Sequence, residues 1–79
     1  MWETGKLSLL QKDGKSVTVY YWVKHYEEMS CYGINNGRIS KLSIKVNGQI
    51  TVNYDRGWDI KPKDEISRKA LKIIMKEYN

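Results

Sequence analysis

Cys31 and His25, the single cysteine and the single histidine of the chain, are the two side chains best suited to nucleophilic chemistry. A cysteine nucleophile requires a base within hydrogen-bond reach and a third group that orients this base. The two residues flank Glu27 and Glu28, and their spacing identifies no such third group. Strand alternation instead predicts Cys31 as a small side chain of the core. We therefore predict that the protein is not an enzyme.

Other chemically active arrangements are equally poorly supported. The histidine, glutamates and cysteine within residues 25–31 lack the spacing of an established metal site. Asp55 and Asp59 would form a carboxylate pair only if the loop brought them together, and bonds to loop amides, to Arg56 or to Lys61 explain them better. No glycine loop of phosphate-binding spacing is present. The sequence predicts neither a metal site nor a cofactor.

Side chains that could stack on a ligand or pair with its charges are more numerous than candidate catalytic groups, above all in the stretch TVYYWVKHY, residues 18–26. A strand with one face in solvent usually alternates apolar and polar residues, whereas both sides of this one carry rings. Alternation assigns Tyr21 to the core and Tyr20 and Trp22 to the opposite side. The second side therefore combines rings with basic residues.

The bulk composition limits the class of partner. Fourteen basic and nine acidic residues give a net charge of +5, which favours nucleic acid or an acidic protein but is also typical of a merely soluble protein. The longest apolar or aromatic run, residues 19–23, is far shorter than the roughly 20 residues that span a bilayer. With no secretory signal visible, we expect a cytoplasmic protein without membrane contact.

Two hairpins with glycine in the turn must position these side chains. Residues 2–11 and 15–25 are predicted to pair with Gly14 in a left-handed bulge position, so that Leu9 faces Val17.

Residues 38–46 and 49–55 are predicted to pair in the same way around Gly48, so that Ile44 faces Ile50 and Leu42 faces Val52. On the other side of this second hairpin, the prediction pairs Lys41, Ser43 and Lys45 with Asn53, Thr51 and Gln49.

The remaining segments complete a single domain over residues 1–79. A short strand is predicted at 30–34, followed by an Asn-Asn-Gly turn, and Gly57 is expected to need a positive φ in the loop after the last strand. A helix is predicted over 62–78, with Pro62 in its first turn and an apolar stripe along one side. The stripe contains Ile66, Ala70, Ile73 and Ile74, widened by Leu71 and Tyr78. The predicted fold is α+β, an antiparallel meander of four or five strands with the C-terminal helix packed on one face.

The face of the sheet away from the helix is the candidate binding surface. It is predicted to carry rings and lysines: Trp2, Lys6, Tyr20, Trp22, Lys24, Lys41 and Lys45. Arg56 and Trp58 form a secondary candidate in the loop before the helix, although a structural role for Trp58 under the core is favoured. Three interpretations of the face remain open, namely nucleic-acid binding, a protein partner or homodimer, and an ordinary structural surface.

Three strings, YWVKHYEE at 21–28, YGINNGRISKL at 32–42 and YDRGWD at 54–59, make the sequence resemble a group of short proteins of unknown function. Proteins of this group occur in phage and conjugative elements of Gram-positive gut bacteria. The resemblance covers nearly the whole chain and implies a mobile-element setting centred on DNA. It implies no activity and no catalytic residues.

Overall fold

Five strands and one helix form the protein in a computed structural model that describes residues 2–79. The strands make one antiparallel sheet in the order β1-β2-β3-β4-β5, and the helix packs on one of its faces. The predicted two-layer α+β fold is therefore confirmed. The elements are β1 (Trp2–Leu10), β2 (Ser16–His25), a 3-10 turn (Ile34–Asn36), β3 (Ile39–Val46), β4 (Gln49–Asp55), β5 (Trp58–Ile60) and α1 (Glu65–Tyr78).

The first hairpin has the predicted register. Leu9 pairs with Val17, and Gly14 has a φ of 85° in the turn. The amide of Gln11 donates to the carbonyl of Lys15 at 2.8 Å, which closes the turn. This register places the valines of β2 under the helix, because alternate residues of a strand face opposite sides.

The second hairpin differs from the prediction. Asn47 and Gly48 both have positive φ and form a two-residue loop that pairs Val46 with Gln49. A bulge between Ile44 and Lys45 then restores the apolar pairing, because the extra residue of β4 shifts the partners by one.

The bulge changes which residues face each other across β3 and β4. Ile44 pairs with Val52, and Leu42 pairs with Tyr54 instead of Val52. Lys45 pairs with Ile50, which leaves Ile50 44% exposed and outside the core, contrary to the prediction.

On the opposite side of the same two strands, the predicted polar pairs are also wrong. Ser43 pairs with Asn53 and Lys41 pairs with Asp55. Thr51, the extra residue of the bulge, turns toward the helix, where the hydroxyl of Ser67 donates to its Oγ1 at 2.7 Å.

Residues 30–34 do not form the predicted strand. They belong to a tight loop in which the amide of Ser30 donates to the carbonyl of Gly37, and Asn35 and Asn36 adopt left-handed conformations that asparagine tolerates. Ile34 is buried in the core, whereas Cys31 is exposed, so the prediction of a core cysteine was wrong.

The last strand and the helix also depart from the predicted boundaries. After β4, a turn at Arg56 leads into β5, a strand that the sequence did not predict, and the positive φ of 58° belongs to Arg56 and not to Gly57. The helix begins at Glu65, three residues after Pro62, because Asp64 is its N-cap and accepts a hydrogen bond from the amide of Ser67.

The core lies between the helix and the odd-numbered side of β2. Its helical side contains Ile66, Ala70 and Ile74, whereas Ile73 points away and is exposed, contrary to the predicted stripe. Leu71 and Tyr78 pack at the margin as predicted. Within residues 2–79, no helix has the length and apolar character required to cross a membrane.

Candidate binding face

Three rows of side chains cross the face of the sheet opposite the helix, which we call the open face. Each row takes one residue from each of β1 to β4, because paired residues of antiparallel strands point to the same side. Neighbours within a row have Cβ atoms about 4.5–5.5 Å apart. The rows are Lys6–Tyr20–Lys45–Ile50, Thr4–Trp22–Ser43–Asn53 and Trp2–Lys24–Lys41–Asp55.

Rings form a ridge along β2 and at the start of β1. Tyr20 and Trp22 are 49% and 38% exposed, and Trp2 is 56% exposed. A groove of about 630 Å³ runs beside the Tyr20–Trp22 ridge toward the turn between β3 and β4, and a second of about 340 Å³ lies on the β1 side. The ring faces are therefore accessible from both flanks.

Lys24 lies between the ring of Trp2, in its own row, and the ring of Tyr26, just beyond the end of β2. Its Nζ lies 6.0 Å from the centroid of the Trp2 ring and 5.6 Å from that of Tyr26. Cation–π contacts at such distances stabilise exposed sites by about 0.5–1 kcal/mol. They also restrict the side-chain rotamers of both rings, so that less conformational entropy would be lost when a ligand binds.

Acidic residues lie only at the β4 and β5 margin of the described part of the face. Lys41 forms an ion pair with Asp55 at 3.7 Å. Asn53 accepts from the hydroxyl of Ser43 and donates to the carboxylate of Asp59 at 3.0 Å. The prediction was that Asp59 pairs with Arg56 or Lys61, and within residues 2–79 its hydrogen-bond partner is Asn53 instead. The positive side of the face is consequently the part formed by β1 to β3.

The two secondary candidates do not belong to one site. Trp58 pairs with Tyr54 and packs edge-on against it, with ring centroids 5.1 Å apart, so it lies on the helix side at the edge of the sheet. Tyr54 is buried, which raises its pKa, and its hydroxyl donates to the carbonyl of Tyr32. Trp58 thus packs on the Tyr54 ring at the edge of the sheet and is 37% exposed, outside the core under which the sequence favoured placing it.

Arg56 instead borders a small pocket at one end of the open face. This pocket has a volume of about 180 Å³. Its lining combines rings, hydroxyls and cations from the loop 26–38, from β3 and from the β4–β5 turn: Tyr26, Ser30, Tyr32, Ser40, Lys41 and Arg56. We call it the Arg56 pocket.

His25 is engaged on the other side of the sheet. Its Nε2 is hydrogen-bonded to the carboxylate of Glu3, and its ring lies 5.0 Å from that of Tyr78. Cys31 lies in the exposed loop. Among residues 2–79, no group of three or more histidine, cysteine, aspartate or glutamate side chains is arranged to hold a metal ion.

A family model described as "Domain of unknown function (DUF7678)" matches residues 1–79, the full length of the sequence. The chain belongs to the DUF7678 family. No curated protein and no solved structure matches it significantly. The family membership agrees with the predicted resemblance to a group of unknown function.

The structure of this DUF7678 chain brings the seven predicted face residues together on one surface. Sequence reasoning missed Ile50, because the bulge that turns it outward leaves no signal in the alternation. It also missed the Arg56 pocket, because residues 26–38 were interpreted partly as a strand. The two adjacent asparagines were the only available sign that this segment turns.

Proposed function

We propose that this DUF7678 chain is a non-catalytic module that binds single-stranded nucleic acid across the open face. The arrangement of the three rows carries the proposal, since accessible rings lie on β1 and β2 and lysines lie beside them in the same row or the next. Bases and phosphates alternate along a strand of nucleic acid, and this surface offers partners for both.

The rings supply the affinity that is independent of base sequence. A base stacked on an aromatic side chain contributes about 1–3 kcal/mol, and every base has a face suited to stacking. Tyr20 and Trp22 are two residues apart on β2, which separates their positions by about 6.7 Å along the strand. Successive bases can therefore occupy neighbouring rows.

The lysines supply the attraction to phosphate. Lys6 and Lys45 flank Tyr20 in one row, and Lys24 and Lys41 are adjacent in another. Of these four, only Lys41 has an ion-pair partner within residues 2–79. Together with the net charge of +5, this leaves the face positive and makes the binding salt-dependent.

The shape of the surface favours a chain-like ligand over a small molecule. The two grooves are shallow and follow the Tyr20–Trp22 ridge, whereas small-molecule sites enclose most of the ligand. The proposal includes a cytoplasmic role in a phage or conjugative element, for which the resemblance of the sequence is the support.

A protein partner is the second candidate, either another copy of the chain or an acidic host protein that it inhibits. Ile50 is exposed beside Lys45, and the nine-residue edge strand β1 has unpaired backbone groups along one side. Both features suit pairing with a protein surface.

A fluorescence titration separates the two candidates. Labelled single-stranded and duplex oligonucleotides are titrated with the wild type, with Trp22→Leu and with Trp58→Leu at 50 mM and 200 mM salt. Trp58→Leu is the matched control, because it removes the same ring from the helix side. Circular dichroism checks that each variant is folded.

We expect Trp22→Leu to weaken single-strand binding about 5- to 150-fold, the equivalent of one stacked base, with Trp58→Leu close to the wild type. Absence of single-strand binding at 50 mM salt, or equal losses in both variants, would refute the proposal. Concentration-dependent sedimentation in that case would favour the homodimer, and preferential duplex binding would favour a groove-binding sheet.

A further inference from the structure

The Arg56 pocket is built from three separate segments that hydrogen bonds hold together. The amide of Arg56 donates to the carbonyl of Ser40 at 3.0 Å, which joins the β4–β5 turn to β3. The amide of Tyr26 donates to the carbonyl of Arg38, and the Tyr54 hydroxyl donates to the carbonyl of Tyr32 at 2.8 Å. The walls are therefore fixed before any ligand arrives.

Arg56 occupies a backbone conformation that its residue type disfavours. Its φ of 58° lies in the left-handed region, where glycine or asparagine is usual, and Gly57 next to it does not take that position. Strained positions of this kind persist where the surrounding structure fixes them, and they cluster at ligand-binding and active sites. Here the strained turn brings a guanidinium to the wall of the pocket.

Cations dominate the charge around the pocket. Lys41 and Arg56 line it, and Lys24 lies next to Tyr26. A hydrogen bond from Lys24 and the charge of its ammonium, assisted by Ser40 and Arg56, lower the pKa of Tyr26 against a smaller opposing effect of burial. Asp55 pairs with Lys41, and Glu27 and Glu28 follow Tyr26 in the adjoining loop, whereas the lining itself contains two cations and no carboxylate.

The lining also offers hydroxyl donors. Ser30 Oγ accepts from the amide of Tyr32 at 3.1 Å, which leaves the Ser30 hydrogen available for a ligand. Ser40 donates to the carbonyl of Lys24 and so contributes an oxygen only. Guanidinium, ammonium and hydroxyl donors around one cavity are the groups that bind a phosphate.

The volume of about 180 Å³ restricts what can enter. Pockets for whole small molecules measure about 300–1,000 Å³, so this one suits a single group. Lys41 belongs both to the pocket and to the third row of the open face, which places the pocket where a strand on that face would end or turn.

We propose that the Arg56 pocket is a phosphate-binding site that takes one phosphate of a nucleic-acid strand lying on the open face. The assignment of that phosphate to a nucleic-acid strand rests on the function proposed above, whereas the inference that the pocket binds phosphate does not. A terminal phosphomonoester presents three non-bridging oxygens and an internal phosphodiester presents two, and the experiment distinguishes them.

The first arm uses inorganic phosphate alone, followed by NMR on the wild type, Arg56→Gln and Arg38→Gln. Arg38 is an exposed arginine whose side chain is outside the pocket lining and whose backbone carbonyl alone contributes to the wall, so its variant loses the same charge and keeps that backbone contact. We expect phosphate to shift signals of Tyr26, Tyr32 and Arg56, with affinity unchanged in Arg38→Gln and about tenfold or more weaker in Arg56→Gln. Unshifted pocket signals, or equal affinity in both variants, would overturn the inference.

The second arm compares oligonucleotides that carry a 5′-phosphate, a 3′-phosphate or neither. Preference for one phosphorylated end that disappears in Arg56→Gln identifies a terminal phosphate, and an equal loss for all three oligonucleotides in Arg56→Gln identifies an internal one. Binding that Arg56→Gln leaves unchanged overturns the assignment to a strand. If no oligonucleotide binds while inorganic phosphate still does, the single-strand proposal fails and the phosphate site remains.

Discussion

The side chain of Asn79 connects the end of the helix to the loop that precedes β3. Its Oδ1 accepts from the amide of Ile39 at 3.0 Å, and its Nδ2 donates to the carbonyl of Ile34 at 3.1 Å. The backbone of Gly37 packs against the same amide so closely that a Cβ at this position would lie 2.2 Å from it. One terminal residue thus holds a loop that has little regular structure.

Replacement of Asn79 should therefore loosen that loop. We expect Asn79→Ala to lower the free energy of unfolding by about 1–3 kcal/mol, since two hydrogen bonds to partly buried backbone groups are lost. Asn79→Asp keeps the acceptor for Ile39 but not the donor for Ile34, so its loss should be smaller. Urea denaturation measures both, and equal stability of Asn79→Ala and the wild type would contradict the contact.

Tyr78 links the helix to β2 through its hydroxyl. This group is hydrogen-bonded to the Tyr21 hydroxyl at 3.2 Å. That bond, followed by burial and the charges of Tyr21, Glu3 and Glu77, raises the pKa of Tyr78 to about 12. Because the folded state holds the proton more tightly than the unfolded state, the contribution is complete below about pH 10 and is lost as the pH rises toward 12.

The stability advantage of the wild type over Tyr78→Phe should follow this titration. At pH 8 the hydroxyl pair contributes about 0.5–1.5 kcal/mol, and the difference between the two proteins should shrink between pH 10 and pH 12. Urea denaturation at several pH values measures the difference. A constant difference over that range would show that the Tyr78 phenol titrates normally.

At the scale of elements, the two hairpins show what alternation can and cannot establish. In the first, Leu7 and Leu9 of β1 and the valines of β2 share one side of the ribbon, so one register packs them together, and that register was predicted correctly. In the second, two registers bury nearly the same residues, and the choice depends on the bulge at Thr51. The bulge follows the two-residue Asn47–Gly48 loop, and the Ser67 hydroxyl of the helix donates to Thr51 there, a contact that strand alternation does not predict.

A double-mutant cycle on Thr51 and Ser67 tests the bulge. Ser67 is fully buried, so Thr51→Val should destabilise the protein by about 1–3 kcal/mol by leaving that hydroxyl without its partner. Adding Ser67→Ala should recover part of the loss. With the three-residue loop predicted from the sequence, Thr51 would instead lie on the open face opposite Ser43, and Thr51→Val would then have little effect or be stabilising.

The loop 26–38 could not be predicted from its own residues. Its shape depends on Asn79, 40 positions from Ile39, and on the close approach of Gly33 to Gly37, neither of which produces a periodic pattern. Hydrophobic periodicity detects regular elements, whereas a loop held by distant side chains carries no such signal. The Arg56 pocket was missed for the same reason.

At the scale of the whole molecule, the sheet separates two environments. The helix covers the side that contains the valines of β2, and the rings and lysines remain on the other. The sequence predicted this separation, because in β2 and β3 the period of two distinguishes the two faces irrespective of the register error in β4.

The contribution of a lysine to oligonucleotide binding should therefore depend on which face of the protein it occupies. Lys45→Gln on the open face and Lys72→Gln on the exposed side of the helix lower the net charge equally. For a single-stranded oligonucleotide, we expect Lys45→Gln to reduce the slope of log affinity against log salt by about 0.7, with Lys72→Gln nearly unchanged. Equal reductions in both would indicate attraction to the overall charge and not to a defined face.

The three tryptophans provide the most direct test of the central claim, because Trp2 and Trp22 lie on the open face and Trp58 lies on the helix side. Each indole N–H gives its own signal in a ¹H–¹⁵N NMR spectrum, which is recorded while a single-stranded oligonucleotide is added. We predict that the signals of Trp22 and Trp2 shift and that the signal of Trp58 does not. A shift of Trp58 alone, or no shift of any of the three, would contradict binding across the open face.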